Sequence, residues 1–150
     1  MKKTLYAITL ALVLFSVDGC KKESEEKPVI EVEIVNVGFT FWKVVSVKNA
    51  SDFAITETNN TPFTFEKGRR YKVISMANVA VHPFEFRNAA NEVMLSQNIA
   101  NAGSLKNDAS LAFEMDANSI SFTVSNSFST NVVTYNCANH NGMKGMVGYK

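Results

Sequence analysis

From Val29 onward, apolar and polar residues alternate with a period of two. Ile30, Val32 and Ile34 are interleaved with Glu31 and Glu33, the spacing that places alternate side chains on one face of a sheet. Further short segments rich in aromatic and β-branched residues are Phe39–Val47, Thr61–Phe65, Arg70–Ser75, His82–Phe86, Ser119–Val124 and Asn131–Tyr135. Turn residues such as Asn59-Asn60, Lys67-Gly68 and Asn88 separate them, as strand ends require. No segment carries a long helical period; Glu92–Ala102 and Asn107–Met115 offer a turn or two of helix at most. Seven to eight strands in about 120 residues predict an all-β domain over 29–150, a Greek-key β-sandwich of two packed antiparallel sheets. That architecture by itself names no function.

The first twenty residues follow a different pattern. Lys2 and Lys3 precede the 13-residue, mostly apolar stretch Leu5–Val17, and Gly19 precedes Cys20. A positive start, a short apolar run and small residues at its end form a secretory signal, and the run is too short for a spanning helix of about 20 residues. Val17-Asp18-Gly19-Cys20 resembles the lipobox of bacterial lipoproteins, with Asp18 at a position where that pattern usually has a small neutral residue. The resemblance implies a signal peptide over 1–19, lipidation of Cys20 and a domain held at a membrane only by its acyl chains. Lys21–Lys27 read KKESEEK, a run with nothing to bury, so 20–28 is expected to be a charged flexible tether ending at Pro28. The expected location is the bacterial cell envelope, periplasm-facing or at the outer membrane.

Charge and cysteine content narrow the function. Fifteen Lys plus Arg against 14 Asp plus Glu give a net charge of +1 in 150 residues, so no basic field exists to gather phosphates and no nucleic-acid partner is expected. Without the first 19 residues, Lys2, Lys3 and Asp18 are lost, leaving 13 charges of each sign. Two cysteines and two histidines in the whole chain cannot make a disulfide scaffold, but their placement is informative.

Tyr135-Asn136-Cys137-Ala138-Asn139-His140-Asn141-Gly142-Met143-Lys144-Gly145-Met146 follows a predicted strand. A thiolate, an imidazole three residues on and a thioether three beyond that are the donors that soft or borderline metals prefer, copper above all. The only other histidine, His82, shares a strand face with Phe84 and Phe86 by the period-two rule while Glu85 takes the other, so its imidazole is expected to point into the sandwich. Met76, Met94, Met115, Trp42 and the phenylalanines read as core. A Cys/His pair on one loop lacks the base, orienting partner and oxyanion site of a nucleophilic enzyme, and no phosphate-cradling glycine loop is present. A non-enzyme is expected.

Tyr-x-Cys-x-x-His-x-x-Met-x-Gly after a late strand, together with His82-Pro83-Phe84 in mid-domain, resembles the cupredoxins, the blue copper family that includes plastocyanin, halocyanin and azurin. The likeness extends through His82–Arg87, Val93–Gln97, Gly103-Ser104 and Asp108-Ala109-Ser110 to a bacterial plastocyanin-like branch. It implies one type 1 copper held by His82, Cys137 and His140 in a trigonal plane, with Met143 as the axial ligand and Met146 as the runner-up. The implied function is electron transfer between envelope redox partners such as a c-type cytochrome, a reductase or an oxidase. The alternative is a copper carrier or buffer supplying another cuproenzyme, and zinc is a third possible occupant. Ala138-Asn139 lacks the proline often found in plastocyanin at this place, so both residues keep a backbone N–H for the Cys137 sulfur. His140 is expected to face solvent amid an uncharged rim of Asn141, Gly142 and Met143.

Overall fold

A computed structural model describes residues 27–150. The expected signal peptide (1–19), Cys20 and the tether up to residue 26 lie outside the described residues. Among those described, no helix is long and apolar enough to cross a membrane.

The domain is a β-sandwich of two five-stranded sheets. One sheet contains β1 (Ile30–Val37), β2 (Phe41–Lys48), β4 (Arg70–Ser75), β7 (Glu114–Met115) and β8 (Ser119–Thr123), in the order β2-β1-β4-β8-β7. The other contains β3 (Phe63–Phe65), β5 (Phe84–Arg87), β6 (Val93–Ser96), β9 (Thr134–Cys137) and β10 (Lys144–Tyr149), in the order β3-β10-β9-β5-β6. The chain crosses between sheets after β2, β3, β4, β6 and β8. The pairings among the described strands are not all antiparallel as expected: β1 runs parallel to β4, and β3 parallel to β10. Both parallel pairs join strands separated by crossings to the other sheet, the long return that parallel pairing needs.

The period-two segments form the sheets because alternation buries one row of each strand. Ile30, Val32 and Ile34 of β1 and Tyr71, Val73 and Ser75 of β4 are buried, whereas Glu31, Glu33 and Lys72 are not. The middle of the sandwich is aromatic. Phe65, Phe86, Phe122 and Phe128 have ring centroids 4.7–5.8 Å apart in their contacts, mostly edge to face, an arrangement adding about 0.5–1.5 kcal/mol per pair beyond burial.

Several elements depart from the alternation. Val93–Ser96 forms β6 where a helical turn was expected; Met94, Leu95 and Ser96 are all buried, so no polar row marked the strand. Residues 99–101 and 109–111 are single 3-10 turns, capped by the side chains of Asn98 and Asp108. Asn131 ends a short helix, α1 (Asn126–Asn131), rather than starting a strand; the Ser125 hydroxyl accepts the Phe128 N–H as its N-cap. Strand β10 is masked in the sequence by Gly145, whose missing side chain is required because a Cβ there would run into the Tyr135 ring. Met76 is not core as expected: it follows Lys72 and Ile74 on the outward row, just past the end of β4, and is 67% exposed, while the buried row continues at Ala77.

Candidate metal centre

The hairpin from β9 to β10 carries most of the chemistry at one pole of the sandwich. Strand β9 delivers Cys137 at its last position, directly opposite Phe84 of β5. The loop that follows is closed internally, with the Cys137 N–H donating to the Met143 carbonyl at 2.9 Å and the Met143 N–H donating to the His140 carbonyl at 3.0 Å. This folding turns His140 back over the Cys137 thiol instead of letting it continue outward.

His82 reaches the same place from the connection between β4 and β5. It lies two residues before β5 rather than on it, and a turn fixes it: the Val81 and His82 N–H groups both donate to the Asn78 carbonyl, at 2.9 and 2.7 Å. The Asn139 carboxamide donates to the Val81 carbonyl at 2.9 Å, and the Ala138 N–H to that of Pro83 at 2.9 Å. The two ligand-bearing segments are therefore tied to each other by one backbone and one side-chain hydrogen bond.

As a result, His82, Cys137 and His140 bring one donor atom each to within 4.8 Å of one another. Cys137 Sγ is 3.8 Å from His82 Nδ1 and 3.3 Å from His140 Nδ1. A single ion bonded at ordinary lengths to nitrogen and sulfur separates those donors by about 3.3–3.8 Å, so the spacing fits one shared ion. His82 and Cys137 are 4% and 3% exposed, and His140 is half-buried. The donor set of two imidazoles and a thiol suits a soft or borderline transition metal, and among the described residues no carboxylate joins it.

Burial sets the electrostatics. It lowers the pKa of His82, with the neighbouring His140 adding to the effect, so the imidazole is kept neutral and available as a donor. Burial also raises the Cys137 thiol, opposed by the backbone N–H groups of Asn139 and His140 that face it. Of the two N–H groups expected for the sulfur, that of Asn139 faces it, whereas that of Ala138 is taken by the Pro83 carbonyl and His140 supplies the second donor. Glu85, expected on an outer face, is buried and paired with Arg87 on the side of the sheet away from Phe84 and Phe86.

The two methionines differ sharply. Met143 is fully buried within the loop that joins Cys137 to β10, whereas Met146 is 57% exposed on β10 opposite Thr134. Met143 consequently does not belong to the solvent rim around His140; that rim contains Asn141 and Gly142, which are exposed.

Three nearby residues were not singled out from the sequence. Phe39, expected to lie within a strand and the core, sits at the β1–β2 tip and is 65% exposed. Its ring packs against both imidazoles, with centroids 5.5 Å from His82 and 5.0 Å from His140. Asn36 places its carboxamide 3.4 Å from His82 Nε2. The group facing the ring is the amide nitrogen, which also donates to the Gly38 carbonyl at 3.1 Å and so links the β1–β2 tip to His82. Asn60 donates to the Gly142 carbonyl at 3.0 Å. The one visible signal for Phe39 was a large aromatic directly after Gly38, a glycine in the left-handed turn region at φ 58°. Trp42, buried as expected, meets His82 edge-on with centroids 6.3 Å apart.

No protein-family model matches the chain, and no curated protein does. Among solved structures, the copper protein rusticyanin aligns over 81% of this chain and 78% of its own, at 13% sequence identity and a TM-score of 0.43.

Proposed function

We propose that this protein is a blue copper electron carrier, with His82, Cys137, His140 and Met143 holding one copper ion. The observation that carries the reading is the meeting of the chain's only two histidines with a buried cysteine: His82 and Cys137 are 55 positions apart, yet their donor atoms lie 3.8 Å from each other. When bound in such a set, copper alternates between Cu(I) and Cu(II) and so accepts and releases single electrons.

The chain's own residues serve that role in distinct ways. The sheets and the loop hydrogen bonds hold the three donors in one arrangement, which keeps structural rearrangement between oxidation states small. Burial of Cys137 and His82 excludes water from the sulfur and one imidazole, and the Asn139 and His140 N–H groups stabilise negative charge on the sulfur. Met143 is the axial donor in this proposal because its side chain is buried in the ligand loop, whereas Met146 faces solvent. His140, half-buried beneath the exposed Phe39 ring, is the route by which electrons leave. An uncharged rim favours partners met through apolar contact, a c-type cytochrome, reductase or oxidase of the envelope.

Lipidation at Cys20 and a tether over 20–28 complete the proposal, giving the domain reach along a membrane surface; mass spectrometry of the membrane fraction tests it by finding, or failing to find, an acylated Cys20 at the amino terminus. The functional test is stopped-flow reduction and reoxidation of the copper-loaded protein. Reversible cycling with copper retained supports electron transfer. Stoichiometric release of copper to an acceptor apoprotein on reduction supports the carrier alternative instead.

A further inference from the structure

Asn60 lies on the connection between β2 and β3, far along the chain from every donor. It holds a left-handed backbone conformation at φ 49°, which asparagine tolerates better than other residues carrying a side chain. Its backbone N–H and both polar atoms of its side chain are engaged. Its backbone N–H donates to the Trp42 carbonyl at 2.7 Å, and its Oδ1 accepts the Trp42 N–H at 2.9 Å. Because the amide oxygen must face that N–H, the Nδ2 is directed outward, and it donates to the Gly142 carbonyl at 3.0 Å. Gly142 is two residues after His140 and one before Met143.

Its neighbour Thr61 reaches the other arm of the same hairpin. Thr61 is buried, and its carbonyl accepts the Tyr135 hydroxyl at 2.7 Å. Tyr135 stands two residues before Cys137, with its ring stacked on Phe63 at a centroid distance of 4.0 Å. The Asn60-Thr61 pair thus grips the segment entering the metal loop and the segment leaving it. Asn139 already ties the first half of that loop to the His82 turn; the second half has Asn60.

We propose that Asn60 is a positioning residue that holds the His140–Met143 half of the loop in place before a metal arrives, anchoring it to β2. This deepens the copper reading and rests on it for the identity of the metal, but the clamp itself is a property of the metal-free chain. The Asn60 carboxamide is the part that matters: an aspartate keeps the Trp42 bond and sets a carboxylate oxygen against the Gly142 carbonyl, while a glycine keeps the left-handed turn and removes both side-chain bonds.

The test uses full-length protein carrying Asn60→Asp or Asn60→Gly. In the metal-free state, backbone amide exchange at Met143 is compared with that at Phe122 and Tyr71 in the sheets. The expected result is exchange at Met143 faster by about three- to tenfold in both variants, as loss of one hydrogen bond implies, with Phe122 and Tyr71 unchanged. After loading with cupric ion, the same variants are expected to release copper to a chelator faster than wild type by a similar factor and to show altered copper hyperfine splitting. Unchanged exchange at Met143 overturns the proposal, and so does acceleration spread equally over Phe122 and Tyr71, which indicates general destabilisation. Wild-type protein that takes up no copper overturns the functional reading instead, a separate result because the exchange comparison needs no metal.

Discussion

The aromatic middle of the sandwich and the pole that gathers the candidate metal donors are built on opposite principles. In the middle, Phe65, Phe86, Phe122 and Phe128 are held by strand alternation and by one another. At the pole, His82, Cys137 and His140 sit at or beyond strand ends, fixed by carbonyl acceptors at Asn78, Val81, Pro83, His140 and Met143. The difference teaches that this fold separates stability from chemistry. Apolar burial sustains the sheets, and a small set of directional hydrogen bonds sets the donors.

The largest expected effects come from exchanging damage between the two regions. Phe122→Ala is expected to destabilise the domain by about 3–5 kcal/mol, read by denaturant unfolding, while any copper spectrum of the folded fraction keeps its shape. Cys137→Ala should do the reverse, abolishing the thiolate-to-copper absorption with only a small change in the unfolding midpoint of the metal-free protein. A Phe122 variant that loses its spectrum while still folded breaks the separation.

Next come the methionines. Met143→Leu is expected to shift the visible spectrum and the reduction potential of copper-loaded protein, and Met146→Leu to leave both unchanged, in keeping with a fully buried and a 57% exposed side chain. The opposite pattern assigns the axial role to Met146.

A finer probe is Asn139→Pro, which removes one of the two backbone N–H groups facing the Cys137 sulfur. Less stabilisation of charge on the sulfur favours the oxidised ion, so voltammetry should show a lower potential. A raised or unchanged potential with the fold intact contradicts that role.

The smallest expected effect belongs to a surface turn outside the donor set. The Ser119 hydroxyl and then the Asn118 N–H hold the Asp116 carboxyl below its ordinary value. Its folded pKa is the lower one, so its stabilisation is present above the unfolded value of about 3.9 and fades as pH falls through the folded value. Asp116→Asn is expected to lower the melting temperature slightly at pH 7 and by progressively less as the pH falls, leaving the copper spectrum alone.

What could be read from the sequence follows the same division. Ile30-Val32-Ile34 and Tyr71-Val73 announced their strands because one face meets solvent. Val93–Ser96 did not, being buried on both faces, and β10 was hidden by Gly145, whose need is the Tyr135 ring lying against it. For the site, the clustering of His82, Cys137 and His140 was legible because Cys and His are so scarce here: spacing marked the Cys137–His140 loop, and the resemblance to cupredoxins joined His82 to it. The supporting groups were not. Phe39, Asn36 and Asn60 act through contacts between elements distant in sequence, and an asparagine in a turn looks the same whether it caps a loop or grips a metal-binding one.

The most direct test of the account is metal content and visible absorption of wild-type protein purified from its native source, before and after addition of cupric ion. The account predicts one copper per chain and an intense thiolate-to-copper band that a reductant bleaches, an oxidant restores and Cys137→Ser eliminates. Protein that stays colourless with cupric ion under oxidising conditions, or that is isolated with zinc in place of copper, contradicts it.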